Sequence, residues 1–517
     1  MPNERDKAAR MISLAFLICA VSMFVYFSAT KFNPDTDVFW LIETGRYIAN
    51  NGIPKTNPWT YADNLEIIVQ QPLCALLNFG WWQLGGLSVM WQLASIENMI
   101  LVLMMLLYTK LFSNERSQIF SAVALMELVV SLSGIGSTRP YQLTVSNMFL
   151  LMYMLEKARR KDSMISVYVS VILTTLFQTN YQMASVLIIP CFLTVYSLGT
   201  AFNRLKDGKE VRISRIVSWF FVYGIWFIVS LFNPYGLRGI KYLLLSKNAL
   251  SLVGNKIVEM TRPTILSPSG LLIIAVIFFC VHRYIKDKQL DWCELFLIAG
   301  ASFASILAIR NMWMLIIAFC MSYGKNIPST SESPVVEKLK CIRIRIFNEV
   351  LHCPVNTVED GFTNPFLKII FSHGLLIASV VIFVGVTCLS PRLSIKNTDS
   401  YNSIFNMFDT VPADAKIYTS FNTGSYLEYL GRKIYVDARP ELYAKEITMS
   451  QDILKEWYSL EWQNLNFEEY VDKSDWEYYF VTKNTPISFY LSYSGKADLI
   501  GEENGQQLFK ISSSNKE

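Results

Sequence analysis

The chain has 517 residues, of which 52% are hydrophobic and 17% are charged, and its formal net charge is +4. The apolar residues come in runs close to membrane-spanning length, so the composition excludes a string of soluble domains and predicts a polytopic α-helical membrane protein. The small net charge does not indicate nucleic acid binding. Nine cysteines without a CxxC pair, and three histidines without metal-ligand spacing, argue against a disulfide framework or a zinc site.

The apolar runs predict about eleven membrane spans. In chain order they cover residues 11–29, 87–111, 118–136, 141–155, 164–180, 182–201, 215–232, 270–285, 291–309, 311–324 and 367–389. An amphipathic or re-entrant piece is predicted near 67–84. Arg5, Lys7 and Arg10 precede the first run and no clear small-x-small cleavage site follows it, so we predict an uncleaved anchor.

Lysine and arginine are concentrated in alternate loops, and such residues mark the cytoplasmic side. The N-terminus is therefore predicted to be cytoplasmic. The first external loop (about 30–86), the loops near 137, 181, 233–268 and 310, and the C-terminal tail then share the outer face. We predict a multi-pass protein of the cell (plasma or inner) membrane. The lack of any Asn-x-Ser/Thr acceptor in the sequence favours a bacterial cell.

Two carboxylates, Asp35 and Asp37, follow a proline at the start of the first external loop. Carboxylates at i and i+2 in an extended chain can converge on one partner, so they could act as a catalytic base or as ligands. The alternative is that Asp37 caps a helix, since residues 38–48 show helical spacing and Asn51-Gly52 would end it. Trp40 stands where a capping box would place Glu or Gln. Both interpretations stay open at this stage.

Several outer span ends carry cationic or other polar side chains. The cations are Arg139, Arg238, Arg262 and Arg310, and the other polar residues are Asn180, Gln182, Tyr235, Glu259 and Asn311. Together they place positive charge on the side of Asp35 and Asp37, which suits an anionic phosphate group at the membrane surface. Arg139 and Arg310 are equally typical of interfacial anchors, and Asn233–Gly236 is typical of a turn.

After residue 389 the composition becomes that of a soluble protein, so we predict a membrane domain over 1–389 and an extracytoplasmic α/β domain over 390–517. Its strand candidates are Lys416–Ser420, Lys433–Asp437, Tyr478–Thr482, Ala497–Gly501 and Gln507–Ser512, with helices near 441–460 and 486–493. Asn504-Gly505 predicts a hairpin turn. The segment Asp437-Ala-Arg439-Pro-Glu441 ends a predicted strand, which is compatible with a ligand site or with an internal ion pair.

These motifs resemble the GT-C superfamily of integral-membrane glycosyltransferases, and most closely a poorly characterised bacterial group that uses polyprenyl-phosphate-linked sugars. The matching residues are, in order, Asp35-Thr-Asp37-Val-Phe-Trp40, Thr44-Gly45, Gly52-Ile-Pro54, Asn57-Pro58, Tyr61, Arg139-Pro140, Asn233–Gly236, Arg310-Asn311 and Val436–Arg439. The chain departs from the group at Gln70-Gln71-Pro72 and at Gln178–Gln182, where relatives carry histidines. If those histidines bind the acceptor in relatives, this departure predicts a different acceptor.

The resemblance implies an inverting transfer of a hexosyl or pentosyl group from a polyprenyl-phosphate donor to a hydroxyl of a glycan, lipid or protein, on the outer face of the membrane. It implies Asp37 as the base with Asp35 as its partner, although the reverse assignment fits nearly as well. Arg139, Arg238, Arg262 and Arg310 become candidates for the donor phosphate. Asn180, Gln182, Tyr235, Glu259 and Asn311 become candidates for substrate contacts. Some members use a divalent cation and others do not.

Two other functional classes fit a polytopic protein with a polar outer face. A transporter or flippase for lipid-linked glycans would often show two related halves and charges near the bilayer middle, but the sequence has no internal repeat. A polymerase or ligase of undecaprenyl-diphosphate glycans would use arginines and a histidine in large outer loops. Neither class requires the early pair of acids.

Overall fold

The computed structural model describes residues 36–62, 65–112, 139–253, 260–287, 291–325, 401–448, 452–462 and 466–512. Three predicted spans, 11–29, 118–136 and 367–389, lie outside these residues. So do Asp35, Glu259 and the predicted domain boundary near 389.

The described chain up to residue 325 is mainly helical. Its α-helices are α1 Thr36–Asn51, α2 Pro72–Trp82, α3 Met90–Lys110, α4 Tyr141–Arg160, α5 Met164–Tyr181, α6 Ile189–Lys206, α7 Ile213–Ser230, α8 Leu237–Val253, α9 Pro268–Asp287, α10 Trp292–Leu307 and α11 Met312–Lys325. Short 3-10 helices at Gly86–Val89, Met183–Ile188 and Ile309–Asn311 lead directly into α3, α6 and α11. Each predicted span within the described residues coincides with a helix.

Helix α8 corrects the prediction of a loop over 233–268. Its sequence contains Arg238, Lys241 and Lys247 among the leucines, so it lacks the continuous apolar run by which the spans were predicted. The turn before it agrees with the prediction for Asn233–Gly236. The Asn233 side chain accepts a hydrogen bond from the Tyr235 backbone N–H, and Gly236 has a φ of 54°.

Three helical stretches in the described chain are long and apolar enough to cross a membrane: Gly86–Lys110, Met183–Lys206 and Ile213–Ser230. Shorter apolar helices lie at Gly270–His282, Trp292–Leu307 and Ile309–Ser322. Helices α3 to α7 and α9 to α11 bury apolar residues in one common core, which includes Met105, Phe149, Leu193 and Ile317. Close packing of these side chains holds the helices together as one bundle, because lipid tails are as apolar as the side chains themselves.

The C-terminal residues form a four-stranded sheet with the order β1-β2-β4-β3. Its elements, in chain order, are β1 Ile417–Thr419, α12 Gly424–Tyr429, a 3-10 helix Pro440–Tyr443, α13 Lys445–Thr448, α14 Ile453–Trp462, α15 Phe467–Lys473, β2 Tyr478–Thr482, α16 Pro486–Tyr493, β3 Ala497–Glu503 and β4 Gln506–Ile511. Strands β1 and β2 are parallel, and the other two pairings are antiparallel. Asn504 and Gly505, with φ of 49° and 75°, form the predicted hairpin turn.

The predicted strand Lys433–Asp437 is wrong. This segment does not join the sheet as a strand, because its backbone hydrogen bonds go to the loop after α1 and to the side chain of Thr419, and not to the backbone of β1. The Ile434 N–H donates to the Trp59 carbonyl at 2.7 Å, and the Tyr61 N–H donates to the Ile434 carbonyl at 3.1 Å. The segment therefore forms an isolated bridge with the loop that follows α1.

A second hydrophobic core joins α1, the loop after it and the C-terminal sheet. Phe39 of α1 is fully buried in it, and four aromatic rings surround its side chain. Their ring centroids lie 5.0 to 5.6 Å from that of Phe39; they belong to Tyr401, Phe405, Tyr426 and Tyr429. Edge and tilted contacts at these distances stabilise aromatic pairs beyond simple burial. Helix α1 and the C-terminal sheet are therefore packed as one unit.

Helices α1 and α2 approach closely at Gly45. A Cβ atom on this residue would lie 2.1 Å from the backbone oxygen of Ala75, which no side chain can accommodate without movement of the helices. This contact explains the Thr44-Gly45 motif physically, because glycine lets one backbone reach the other.

Candidate active site

Asp37 lies in the first turn of α1, and its carboxylate is held by groups from two elements. The indole N–H of Trp40, one turn further along, donates to Oδ1 at 3.0 Å. The guanidinium Nε of Arg139, at the start of α4, forms an ion pair with Oδ2 at 3.1 Å. The helix is the one predicted for residues 38–48, and Gly52 with a φ of 80° follows its end.

The Asp37 and Arg139 pair is partly open to solvent. The Asp37 side chain keeps 23% of its surface exposed and that of Arg139 keeps 25%. A carboxylate beside a guanidinium, both reachable from outside, can bind a hydroxyl group and an anion next to each other. The sequence did not predict this particular pairing, because the two residues are 102 positions apart.

The other three arginines do not join this pair. Arg238 forms an ion pair with Glu66 in the loop after α1. Arg262 and Arg310 lie on neighbouring segments, because the Ile309 N–H donates to the Thr261 carbonyl at 3.1 Å. Within the described residues, no ion pair links Arg238, Arg262 or Arg310 to Asp37.

The predicted substrate residues hold local structure in the described chain. Asn180 donates to the carbonyls of Leu176 and Phe232, and Asn311 donates to that of Ala304. Gln182 accepts from Thr144 and Ser185, and the Tyr235 hydroxyl donates to the Pro54 carbonyl. These bonds tie helix ends and loops to one another. Glu259 lies outside the described residues.

Arg439, in the C-terminal part of the chain, is buried with two carboxyl groups. Its Nη2 lies 2.5 Å from both Asp437 and Glu428, and the Tyr443 hydroxyl donates to Asp437 at 2.8 Å. Burial raises the pKa of Glu428 well above its usual range. Burial opposes ionisation of Asp437 too, but the adjacent guanidinium and hydrogen bonds lower the pKa of Asp437. The surroundings of Asp437 therefore favour its charged form beside Arg439, whereas burial of Glu428 favours its protonated form.

This internal ion pair also reaches the first loop. The Arg439 guanidinium lies 4.7 Å from the ring centre of Trp40 and 5.4 Å from that of Trp59. Such cation–π contacts are strongest away from water. Of the two interpretations of the segment 437–441, the internal pair is therefore what the structure contains at Arg439. It orients the same Trp40 that donates to Asp37.

Glu441, the last residue of the segment 437–441 named from the sequence, is a second carboxyl group near Asp37. Gln70 donates to Glu441 Oε1 at 2.8 Å and also lies 3.4 Å from the Tyr242 hydroxyl. Burial, with smaller contributions from the charges of Asp437 and Asp37, raises the pKa of Glu441 to about 7. The sequence feature that points to this contact is the departure at Gln70, where relatives carry a histidine.

No family model matches the chain, and no curated protein matches it in sequence. Solved structures do match its fold. ArnT from Cupriavidus metallidurans bound to undecaprenyl phosphate has 14% sequence identity and a TM-score of 0.53, over 96% of this chain and 98% of that one. The apo oligosaccharyltransferase of Archaeoglobus fulgidus has 12% identity and a TM-score of 0.56, over 91% and 69%. The chain has the GT-C fold.

Both matches cover more than nine tenths of this chain, so the GT-C likeness is not confined to the helical bundle. Some GT-C enzymes use a divalent cation. In the described part of the chain, no three His, Cys, Asp or Glu side chains are grouped to hold a metal ion.

Proposed function

We propose that this protein is a membrane glycosyltransferase that moves a sugar from a polyprenyl-phosphate donor to an acceptor hydroxyl. The observation that carries the proposal is the partly exposed Asp37 and Arg139 pair in a chain with the GT-C fold. The likeness to an ArnT structure that contains undecaprenyl phosphate supports a polyprenyl-linked donor. The acceptor belongs to a glycan, a lipid or a protein, and the transferred group is a hexosyl or pentosyl unit.

The proposed reaction is a single displacement with inversion. Asp37 accepts the proton of the acceptor hydroxyl while the acceptor oxygen bonds to the anomeric carbon. The bond between that carbon and the donor phosphate oxygen breaks on the opposite face, and its electron pair leaves with the phosphate. Arg139, next to Asp37, neutralises the charge that develops on the phosphate.

The remaining assignments are proposed on sequence. Asp35 is the partner carboxylate of Asp37, and Arg238, Arg262 and Arg310 add positive charge on the same side of the bundle. Asn180 and Glu259 contact sugar or acceptor hydroxyls. The site faces the outside of the cell membrane, together with the α/β domain of residues 390–517.

The test is sugar transfer in membranes supplied with a radiolabelled polyprenyl-phosphate sugar. Asp37→Asn keeps the shape of the side chain but removes the base, so transfer is expected to fall at least about 100-fold at normal expression. Asp498→Asn is the matched control, because Asp498 lies exposed on β3. Normal transfer by Asp37→Asn would refute the catalytic assignment.

A further inference from the structure

A cavity of about 230 Å³ lies at the end of the bundle where α5 and α7 begin. The polar residues that line it are Asp162, Arg204, Arg212, Ser214, Arg215 and Ser218. Helix α5 has 18 residues and is therefore about 27 Å long. Tyr181 at its far end packs with Trp40, so the cavity is separate from the site around Asp37.

Positive charge in the cavity exceeds negative charge. Three guanidinium groups face one carboxylate, that of Asp162. Arg215 pairs with Asp162 at 2.5 Å, and Arg204 lies 3.6 Å from the same oxygen. The buried Nε of Arg204 has no hydrogen-bond partner among the described residues, and Arg212 forms no ion pair within them. An anion in the cavity would give these groups a partner.

The start of α7 adds to the positive potential. Arg212 occupies the N-cap position, and no side chain caps the helix there. A helix N-terminus carries a partial positive charge from its unpaired N–H groups, so a cation is an unfavourable neighbour for it. Arg212 and Arg215 both flank this terminus. A bound phosphate would be stabilised by the helix and by the arginines together.

The surface around the cavity is apolar and exposed. Ile165 at the start of α5 is 75% exposed, and Ile213 and Phe220 on α7 are 78% and 72% exposed. Only 11% of the apolar stretch of α7 is buried inside the protein. Such a surface belongs in the hydrocarbon of a bilayer, which places the arginines at headgroup level.

We propose that this cavity binds the phosphate group of an anionic membrane lipid, with the acyl chains along the exposed face of α7. The combination of basic pocket and apolar flank favours a lipid over a soluble phosphate, because a soluble anion would gain nothing from the apolar surface. This site is independent of the proposed transferase activity.

The test is native mass spectrometry of the full chain purified with equal amounts of phosphatidylglycerol and phosphatidylcholine. The wild type should retain phosphatidylglycerol preferentially. Arg212→Gln should lower that preference about fivefold, as expected for one basic group at a membrane surface. Ser214→Asp should lower it at least as much. A carboxylate in the first turn of α7 stabilises the helix while it competes with the phosphate, so misfolding cannot account for the loss.

Lys209→Gln is the matched control, because Lys209 lies in the same loop, is 67% exposed and is not part of the cavity lining. It should keep the wild-type preference. Equal retention of the two lipids by the wild type, or an unchanged preference in both cavity variants, would overturn the proposal. Complete displacement of phosphatidylglycerol by inorganic phosphate would also overturn the assignment to a lipid.

Discussion

The guanidinium of Arg439 lies 4.7 Å from the ring of Trp40, although almost four hundred residues separate them in the chain. Trp40 in turn donates its indole N–H to Asp37. The C-terminal part of the protein therefore supports the first turn of α1 directly. Damage to this contact is expected to affect stability and, through Trp40, the position of the Asp37 carboxylate.

Arg439→Ala should destabilise the protein strongly, by about 3–5 kcal/mol, because it leaves Asp437 buried without its cation. The measurement is thermal unfolding of the detergent-purified protein, combined with limited proteolysis of the C-terminal part. Lys433→Ala, in the same segment but exposed, is the control and should unfold like the wild type. If the Arg439→Ala protein were as stable as the wild type, this ion pair would not be a main source of the protein's stability.

Arg139→Gln should reduce sugar transfer about 100-fold or more, since it removes the charge proposed to stabilise the departing phosphate. Arg139→Lys keeps a charge but not the planar group, so it should retain more activity than the glutamine variant. Both are assayed in the same membranes as Asp37→Asn. Arg160→Gln, at the other end of α4 and 47% exposed, is expected to transfer sugar normally. If Arg160→Gln were as inactive as Arg139→Gln, the loss would reflect damage to α4.

Glu441 should make the stability of the protein depend on pH. Its pKa is raised from 4.5 to about 7, so the folded protein binds its proton more tightly than the unfolded chain does. Stability from this group is therefore present below pH 4.5 and falls as the pH rises through 7. Between pH 4.5 and 7, the unfolding temperature of Glu441→Gln should fall less than that of the wild type. Glu503→Gln, on the exposed end of β3, should follow the wild type, and identical pH curves for all three proteins would argue against a shifted Glu441.

Gly45→Ala should destabilise the protein, because its Cβ would overlap the Ala75 backbone and push α1 and α2 apart. The expected cost is about 1–3 kcal/mol, measured as a lower unfolding temperature. Gly80→Ala on α2 is the matched control, since a Cβ there meets nothing within 4 Å. In a helix interior that change should be neutral or slightly stabilising. Equal effects of the two substitutions would mean that the close approach at Gly45 is unimportant.

Local patterns predicted local structure well. The apolar runs at 141–155, 164–180 and 215–232 are α-helices, since a long apolar run has few other ways to satisfy its backbone in a membrane. Asn504-Gly505 forms the hairpin turn because both residues tolerate positive φ. The segment Lys433–Asp437 was read as a strand from its β-branched and aromatic residues. It is not a strand, because its hydrogen bonds go to the loop after α1 and to the side chain of Thr419, and not to the backbone of the edge strand β1.

The sequence predicted the membrane class and most helix positions, but it missed α8. It named the acids and arginines as candidates, and their chemical roles stay predictions. It also carried the resemblance that the GT-C fold confirms. Only the tertiary structure decided that Arg139, and not Arg238, pairs with Asp37, and that Gln70 meets Glu441 across 371 positions. The physical reason is that local propensity acts within a few residues, whereas these contacts depend on how helices far apart in the chain pack against one another.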